Sequence, residues 1–158
     1  WIDRFVAFEP GKRAEAVKNV SLAEEHLHDH WEAYPIMPAS LMIEGMAQTA
    51  GILVGQARDF KEKVILAKIK KCVFHHYVKP GETILLHAEI ESIADEAAST
   101  AGKITCGEKT IAEVDLMFSH VDQNLAGKEF PEENFVFTDL FGLVLRDFGI
   151  EIPEAGLI

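Results

Sequence analysis

The pattern of apolar positions changes regime along the chain. Ile2 to Phe8 has strand composition, Glu9-Pro10-Gly11-Lys12 is a turn signal, and Ala14, Ala16 and Val20 continue on a second strand. Ser21-x-x-Glu24 fits a capping box for a short helical turn. Around Leu41 to Val54 the period disappears, because Leu41, Met42, Ile43, Met46, Ala47, Ala50, Ile52, Leu53 and Val54 point all round a helical axis. A helix apolar on every side is a buried helix. It starts at Pro38 or Ala39, where proline's missing N–H is harmless, and reaches Arg58. At roughly 17 residues, interrupted by Gly45, Gly51 and Gly55, it is too short to span a membrane.

After Lys63 the period becomes that of strands. Val64 to Ala67 and Cys72 to Val78 predict one long strand with a bulge or break at Lys70-Lys71, closed by the turn Lys79-Pro80-Gly81-Glu82. Ile84, Leu86, Ala88 and Ile90 alternate with Leu85, His87, Glu89 and Glu91. Thr100 to Thr105 and Ile111 to His120 follow as strands; on the latter Ala112, Val114, Leu116 and Phe118 share one face, Glu113 and Asp115 the other. Helix and strands segregate, which predicts an α+β domain over 1–121. One all-apolar helix needs a sheet curved around it. A polar linker over 122–133 then leads to Phe137, Leu140, Phe141, Val144, Leu145 and Phe148, the spacing of an amphipathic helix over 135–150. That C-terminal unit, 122–158, is expected to dock on the outer sheet face, on the body or at a dimer edge.

Charge narrows the function. The net charge is −11, which excludes a general nucleic-acid binder. Seven of the 15 basic residues nevertheless fall between Arg58 and Lys79. That region, with Lys68, Lys70, Lys71 and Lys79, is a solvated strand edge or a docking face for an acidic partner. Cys72 and Cys106 make no disulfide framework and read as inert free thiols in a reducing compartment, the cytoplasm. No signal peptide or long apolar run is visible.

The chemistry concentrates at the start of the central helix. His30 sits in a loop broken by Pro35 and Pro38, and Glu44 lies fourteen positions further on, inside the apolar helix. A carboxylate there is costly unless it is paired, protonated or used. Desolvation would let Glu44 carry a proton near neutrality, and histidine suits a general base. Amides at the helix start, around Ala39 and Ser40, can polarise a carbonyl, and Gln48, one turn after Glu44, could hold its carboxyl or a water. His26, His28 and His30 alternate and could face one side of an extended segment as metal ligands, but no further ligand cluster accompanies them, so no metal is expected. His75 and His76 read as ordinary strand residues, His87 and His120 as surface residues, and Tyr34 and Tyr77 as packing residues.

The N-terminal IDRFVAFEPGKRAEAVKNVSL, the segment from His30 to Gly51 and the FHHYVKPGE turn together resemble the β-hydroxyacyl-acyl-carrier-protein dehydratases of fatty-acid synthesis, over about residues 1–120. The resemblance implies a hot-dog fold, a curved antiparallel sheet wrapped around one long buried helix. It implies catalysis by His30 and Glu44, glutamate being the dehydratase-only variant, with the Ala39 amide as carbonyl donor. Trp31, Ser40 and Gln48 would contact substrate. It further implies a homodimer that shares its sites between chains and can pair into a trimer of dimers. The partner would be acyl carrier protein, bringing substrate on its phosphopantetheine arm, with no cofactor of the enzyme's own. Trp31-Glu32-Ala33 stands where the family usually has Phe-Pro-Gly, and Ala39 where it has glycine. A hot-dog thioesterase, an enoyl-CoA hydratase and a non-catalytic acyl-binding subunit are the alternatives. A thioesterase would use Glu44 without needing His30.

Overall fold

The computed structural model describes residues 1–29, 33–121, 124–125, 128–129, 142, 145–147 and 149–150. Strands β1 (Arg4–Glu9), β2 (Arg13–Asn19), β3 (Lys63–Phe74), β4 (Thr83–Ile93), β5 (Ala97–Cys106) and β6 (Lys109–Val121) form one antiparallel sheet in the order β1-β2-β4-β5-β6-β3. Helix α1 (His26–Asp29) is a single turn, and helix α2 (Ala39–Gln56) lies against β2 to β6. Two short strands, β7 (Asn124–Leu125) and β8 (Lys128–Glu129), pair beyond it.

The period-2 pattern decides which face meets α2. Ala14 and Ala16 on β2, Ile84, Leu86 and Ala88 on β4, Ile104 on β5, and Ala112, Val114, Leu116 and Phe118 on β6 are all buried. Their neighbours in sequence carry charge on the other face, where Glu15, His87, Lys103 and Glu113 form one cross-strand row. Half of the Ser21–Glu24 box is formed: Ser21 N–H donates to Glu24 Oε1 at 2.8 Å, but Ser21 Oγ accepts from Ala23 N–H at 3.2 Å while Glu24 N–H donates to the Ser21 carbonyl at 3.0 Å.

Edge strand β3 is continuous through Lys70-Lys71, with register shifts between Leu66 and Lys68 and between Ile69 and Lys71. Each shift is a bulge, which re-aims the side chains that follow. The result pairs Leu66, Ile69, Cys72 and Phe74 with Phe118, Leu116, Val114 and Ala112, the inward residues of β6. Four residues that do not alternate in sequence thus share the inner face. The strand stops at Phe74, short of the expected Val78, because His75 and His76 both donate their amides to the Ile111 carbonyl, at 2.8 and 3.4 Å, as the chain turns away.

Helix α2 departs from expectation in two ways. It ends at Gln56, and the chain turns through Asp59 and Phe60 with φ of 53° and 54°, closed by Phe60 N–H on the Gly55 carbonyl at 2.8 Å. Nor is it covered all round. Its second half is sealed at Thr49, Ala50, Ile52, Leu53, Val54 and Gly55, whereas its first half leaves Ser40 and Glu44 exposed and Leu41, Ile43, Ala47 and Gln48 half-buried.

Of the expected C-terminal helix, residues 135–141, 143–144 and 148 lie outside the described residues, as does the linker apart from β7 and β8. Leu145 is fully buried and Ile150 nearly so, both within the main apolar core rather than on the charged outer face. Gly149, at φ +68°, ends this turn, with Ile150 N–H bonded to the Leu145 carbonyl at 3.1 Å.

Candidate active site

The site begins where α2 begins. Pro38 is its N-cap residue, in an extended conformation, and no side chain caps the helix. Leu41 and Met42 both donate their amides to the Pro38 carbonyl, at 3.0 and 3.2 Å. The Ala39 and Ser40 amides have no acceptor among the described residues. Free N–H groups at the positive end of a helix dipole are pre-oriented donors for a carbonyl oxygen that gains charge. Proline at the cap supplies no side-chain acceptor that would compete for them.

Glu44 stands one turn after Ser40 on the open stripe of α2. Its carboxyl is exposed in the single chain, so the desolvation expected from an apolar helix is absent here. The reason is geometric: the sheet covers the Met42, Gly45, Met46 and Thr49 side, and Glu44 points the other way. Gln48 shares the stripe, but its Oε1 already accepts from the Trp1 amino group at 2.6 Å and from Ile2 N–H at 3.2 Å. It ties Trp1 and Ile2 to α2, leaving its NH2 group for any contact at the site. His30 and Trp31, together with Glu32, lie outside the described residues. The loop is described from Ala33. Ile36 and Met37 are buried, and Met37 N–H donates to the Val78 carbonyl at 2.8 Å.

Among the described residues the histidines are not gathered in one group. In α1, His26 and His28 are two residues apart on a helix and diverge; extended geometry would have aligned them. His26 packs edge-on against Trp1 at 5.1 Å, and His28 Nε2 donates to the Leu22 carbonyl at 2.7 Å. Among the described residues no group of three or more His, Cys, Asp and Glu stands close enough to hold a metal. His120, expected at the surface, has a side chain only 2% exposed, with Nδ1 3.0 Å from Glu62 and 3.2 Å from the Asp95 carbonyl. Burial pushes the Cys72 thiol up, which fits an inert cysteine.

The basic region is largely neutralised by the chain itself. Lys70 reaches Glu91 at 3.0 Å, Lys71 pairs with Glu113, Arg58 with Asp95 and Lys61 with Asp59. Lys63 is buried. Lys79 lies over the Tyr34 ring, 4.8 Å from its centroid. Lys68 is exposed and has no acidic partner among the described residues. Tyr34 and Tyr77, expected to pack, are instead exposed and meet edge-on at 6.5 Å. A separate hollow of about 650 Å³ opens on the outer sheet face, among Arg13, Glu15, His87, Glu89, Lys103 and Thr105. There His87 lies 3.4 Å from Glu15 and 3.0 Å from Thr105 Oγ1, on the opposite face from α2.

A six-stranded antiparallel sheet curved around one helix, with free amides and a lone carboxylate on the helix's open side, is a hot-dog protein. The FabA-like domain family matches residues 1–115, and the chain belongs to that family. It is 39% identical over 118 residues to the 3-hydroxyacyl-[acyl-carrier-protein] dehydratase FabZ of Caldanaerobacter subterraneus subsp. tengcongensis, covering 74% of this chain and 84% of the relative. The FabZ of Listeria monocytogenes is 37% identical over 122 residues, covering 77% and 85%. Among solved structures, the conserved protein PA5202 of Pseudomonas aeruginosa superposes with a TM-score of 0.63 at 16% identity, over 75% of this chain and 87% of that one. The dehydratase heterocomplex ApeI:P of Xenorhabdus doucetiae gives 0.63 at 15% identity, over 76% and 82%. At such identities these structures share the fold.

Proposed function

We propose that the protein dehydrates 3-hydroxyacyl thioesters carried on acyl carrier protein to trans-2-enoyl thioesters in fatty-acid synthesis. The observation that carries this reading is the 39% identity to a dehydratase over 118 residues, beside a family match over residues 1–115 that takes in His30, Ala39, Ser40 and Glu44. His30 takes the α-proton from C2. The Ala39 and Ser40 amides hold the thioester carbonyl as charge gathers on its oxygen. The C3–O bond breaks, Glu44 gives its proton to the departing oxygen, and water leaves as the C2–C3 double bond forms. Each step uses a protein group, so the chemistry asks for no cofactor beyond the carrier's own arm. Trp31 and Gln48 are assigned to substrate contact.

The acid role of Glu44 calls for a drier setting than the single chain gives it, and a second copy supplies one. Leu66, Ile69 and Phe74, on the inner face of edge strand β3, are 37%, 43% and 36% exposed, and Leu41, Ile43 and Ala47 on α2 are half-buried. Lys68, Lys70 and Lys71 solvate this edge strand, but the exposed apolar row on its inner face is a surface that another chain can cover. The homodimer is the reading that covers both surfaces and brings His30 of one chain to Glu44 of the other; pairing into a trimer of dimers is compatible with it. The free Cys72 and Cys106 suit a reducing cytoplasm. Among the described residues no helix is long and apolar enough to cross a membrane.

The test is direct. Incubated with a 3-hydroxyacyl thioester, the protein should generate the ultraviolet absorbance of the conjugated enoyl product. Release of a free thiol without that absorbance would replace dehydration by thioester hydrolysis.

A further inference from the structure

The loop 33–38 joins the histidine segment to the first amides of α2; Ile36, Met37 and Pro38 are buried, whereas its start, Ala33 and Tyr34, is exposed. Its described backbone bonding consists of Met37 N–H on the Val78 carbonyl, at 2.8 Å, and the Pro38 carbonyl turned into the helix. The turn opposite, 79–82, is tied on every side. Lys79 N–H donates to Glu82 Oε2 at 2.6 Å and Glu82 N–H to the Lys79 carbonyl at 3.1 Å. Gly81 N–H donates to the Val20 carbonyl at 2.8 Å, and Val20 N–H to the Glu82 carbonyl at 3.0 Å. The turn is therefore welded to the end of β2, and it is the firm body against which the loop can be set.

A side-chain contact joins the two. The Lys79 ammonium lies 4.8 Å over the Tyr34 ring, and the Tyr77 ring meets Tyr34 edge-on at 6.5 Å. Tyr34 is 42% exposed, so the core does not hold this ring in place. The contact also favours the charged lysine: the Tyr34 hydroxyl, and less strongly Glu82, hold the Lys79 ammonium above its usual range. A cation stacked on an aromatic face is a directional attraction, unlike a solvated lysine.

Taking the proposed dehydration as given, we propose that Lys79 and Tyr34 form a latch that fixes the loop 33–38 ahead of α2. Lys79 is thereby a positioning residue for the reaction, rather than part of a docking face for the carrier. Its effect is transmitted through Met37 and Pro38 to the Ala39 and Ser40 amides, which follow immediately in the chain.

The two roles of Lys79 separate kinetically. In the full-length protein, Lys79→Met should lower kcat by about ten- to a hundredfold on a carrier-linked substrate and on a short soluble thioester alike, with KM nearly unchanged. Lys79→Arg, whose guanidinium also stacks on a ring, should restore most of the rate, and Tyr34→Phe should keep more of it than Tyr34→Leu. Amide hydrogen exchange supplies a readout independent of turnover: in Lys79→Met the Met37 amide should exchange faster while core β4 and β5 amides stay protected. A rise in KM confined to the carrier-linked substrate would overturn the latch in favour of docking. Unchanged Met37 exchange would overturn it outright, even if the wild-type protein dehydrated nothing.

Discussion

Gly102 on β5 faces Met46 of α2 so closely that a Cβ on the glycine would stand 2.7 Å from the Met46 Sδ and would also strike the Val114 carbonyl. The missing side chain lets the helix lie on the sheet at the depth that presents Glu44 on its far side. Met46 can move; Val114, paired with Cys72 of β3 in the middle of β6, cannot. Gly102→Ala should therefore cost about 1–3 kcal/mol, read as a lower urea midpoint. Gly51, inside α2, is the contrast. Its Cβ would meet only the Phe118 ring, 3.4 Å away, an ordinary contact, so Gly51→Ala should be at least as stable as wild type. Equal losses at both positions would show that helix-to-sheet approach is not what Gly102 provides.

How far the sequence foretold this arrangement depends on whether each signal was local. The alternation Ile84, Leu86, Ala88 and the run Ala112 to Phe118 placed their strands and faces correctly, because a period of two needs nothing but the chain itself. The spacing of His30 to Glu44 is also local to the chain, but His30 lies outside the described residues. Coverage was harder to read. The helix looked buried all round because Leu41, Ile43 and Ala47 are apolar, but apolar residues are also what a partner covers. The inner face of β3 was hidden by its two bulges, which break the alternation of Leu66, Ile69 and Cys72. Nothing in the composition announced that His120 would be buried against Glu62, or that the helix would end through left-handed Asp59 and Phe60 without a glycine.

If His30 and Glu44 carry the proposed reaction across a dimer interface, inactivation is complementable. His30→Ala and Glu44→Gln should each lower turnover by about two to four orders of magnitude, the range for a positioned acid or base. Glu44 is exposed in the single chain, so its substitution should leave the unfolding midpoint nearly unchanged. Mixed dimers of the two inactive variants should regain one working site of the two. Mixtures that stay inactive after refolding together would put both groups of a site in one chain.

The carrier's approach can be tested lysine by lysine. Lys70 and Lys71 are engaged by Glu91 and Glu113, so an acidic partner would have to displace those carboxylates, whereas Lys68 has no such competitor. Lys68→Glu should raise KM for a carrier-linked substrate, most at low salt, and leave a short thioester unaffected. Lys71→Glu should act on the same parameter, with an added repulsion from Glu113. If reversing Lys68 changes neither KM nor its salt dependence, the carrier lands elsewhere than on β3.

The C-terminal residues make the sharpest prediction about architecture. The family match ends at residue 115, yet Leu145 is 0% and Ile150 6% exposed, both in the same apolar cluster as Leu53, Phe60 and Phe118. A segment beyond the family's domain thus fills part of the core. Leu145→Ala should cost about 2–5 kcal/mol, as for other fully buried leucines, and should do so without altering KM. Truncation after Val121 removes Leu145 and Ile150 together and should lower both the melting temperature and the solubility of the protein. The neighbouring Arg146 and Asp147 are exposed, so replacing either by alanine should change little and serves as the control. Should the truncated chain keep the full melting temperature, the core would be complete without these residues. A truncated enzyme that is stable but prefers longer acyl groups would instead make them part of the wall that limits the substrate.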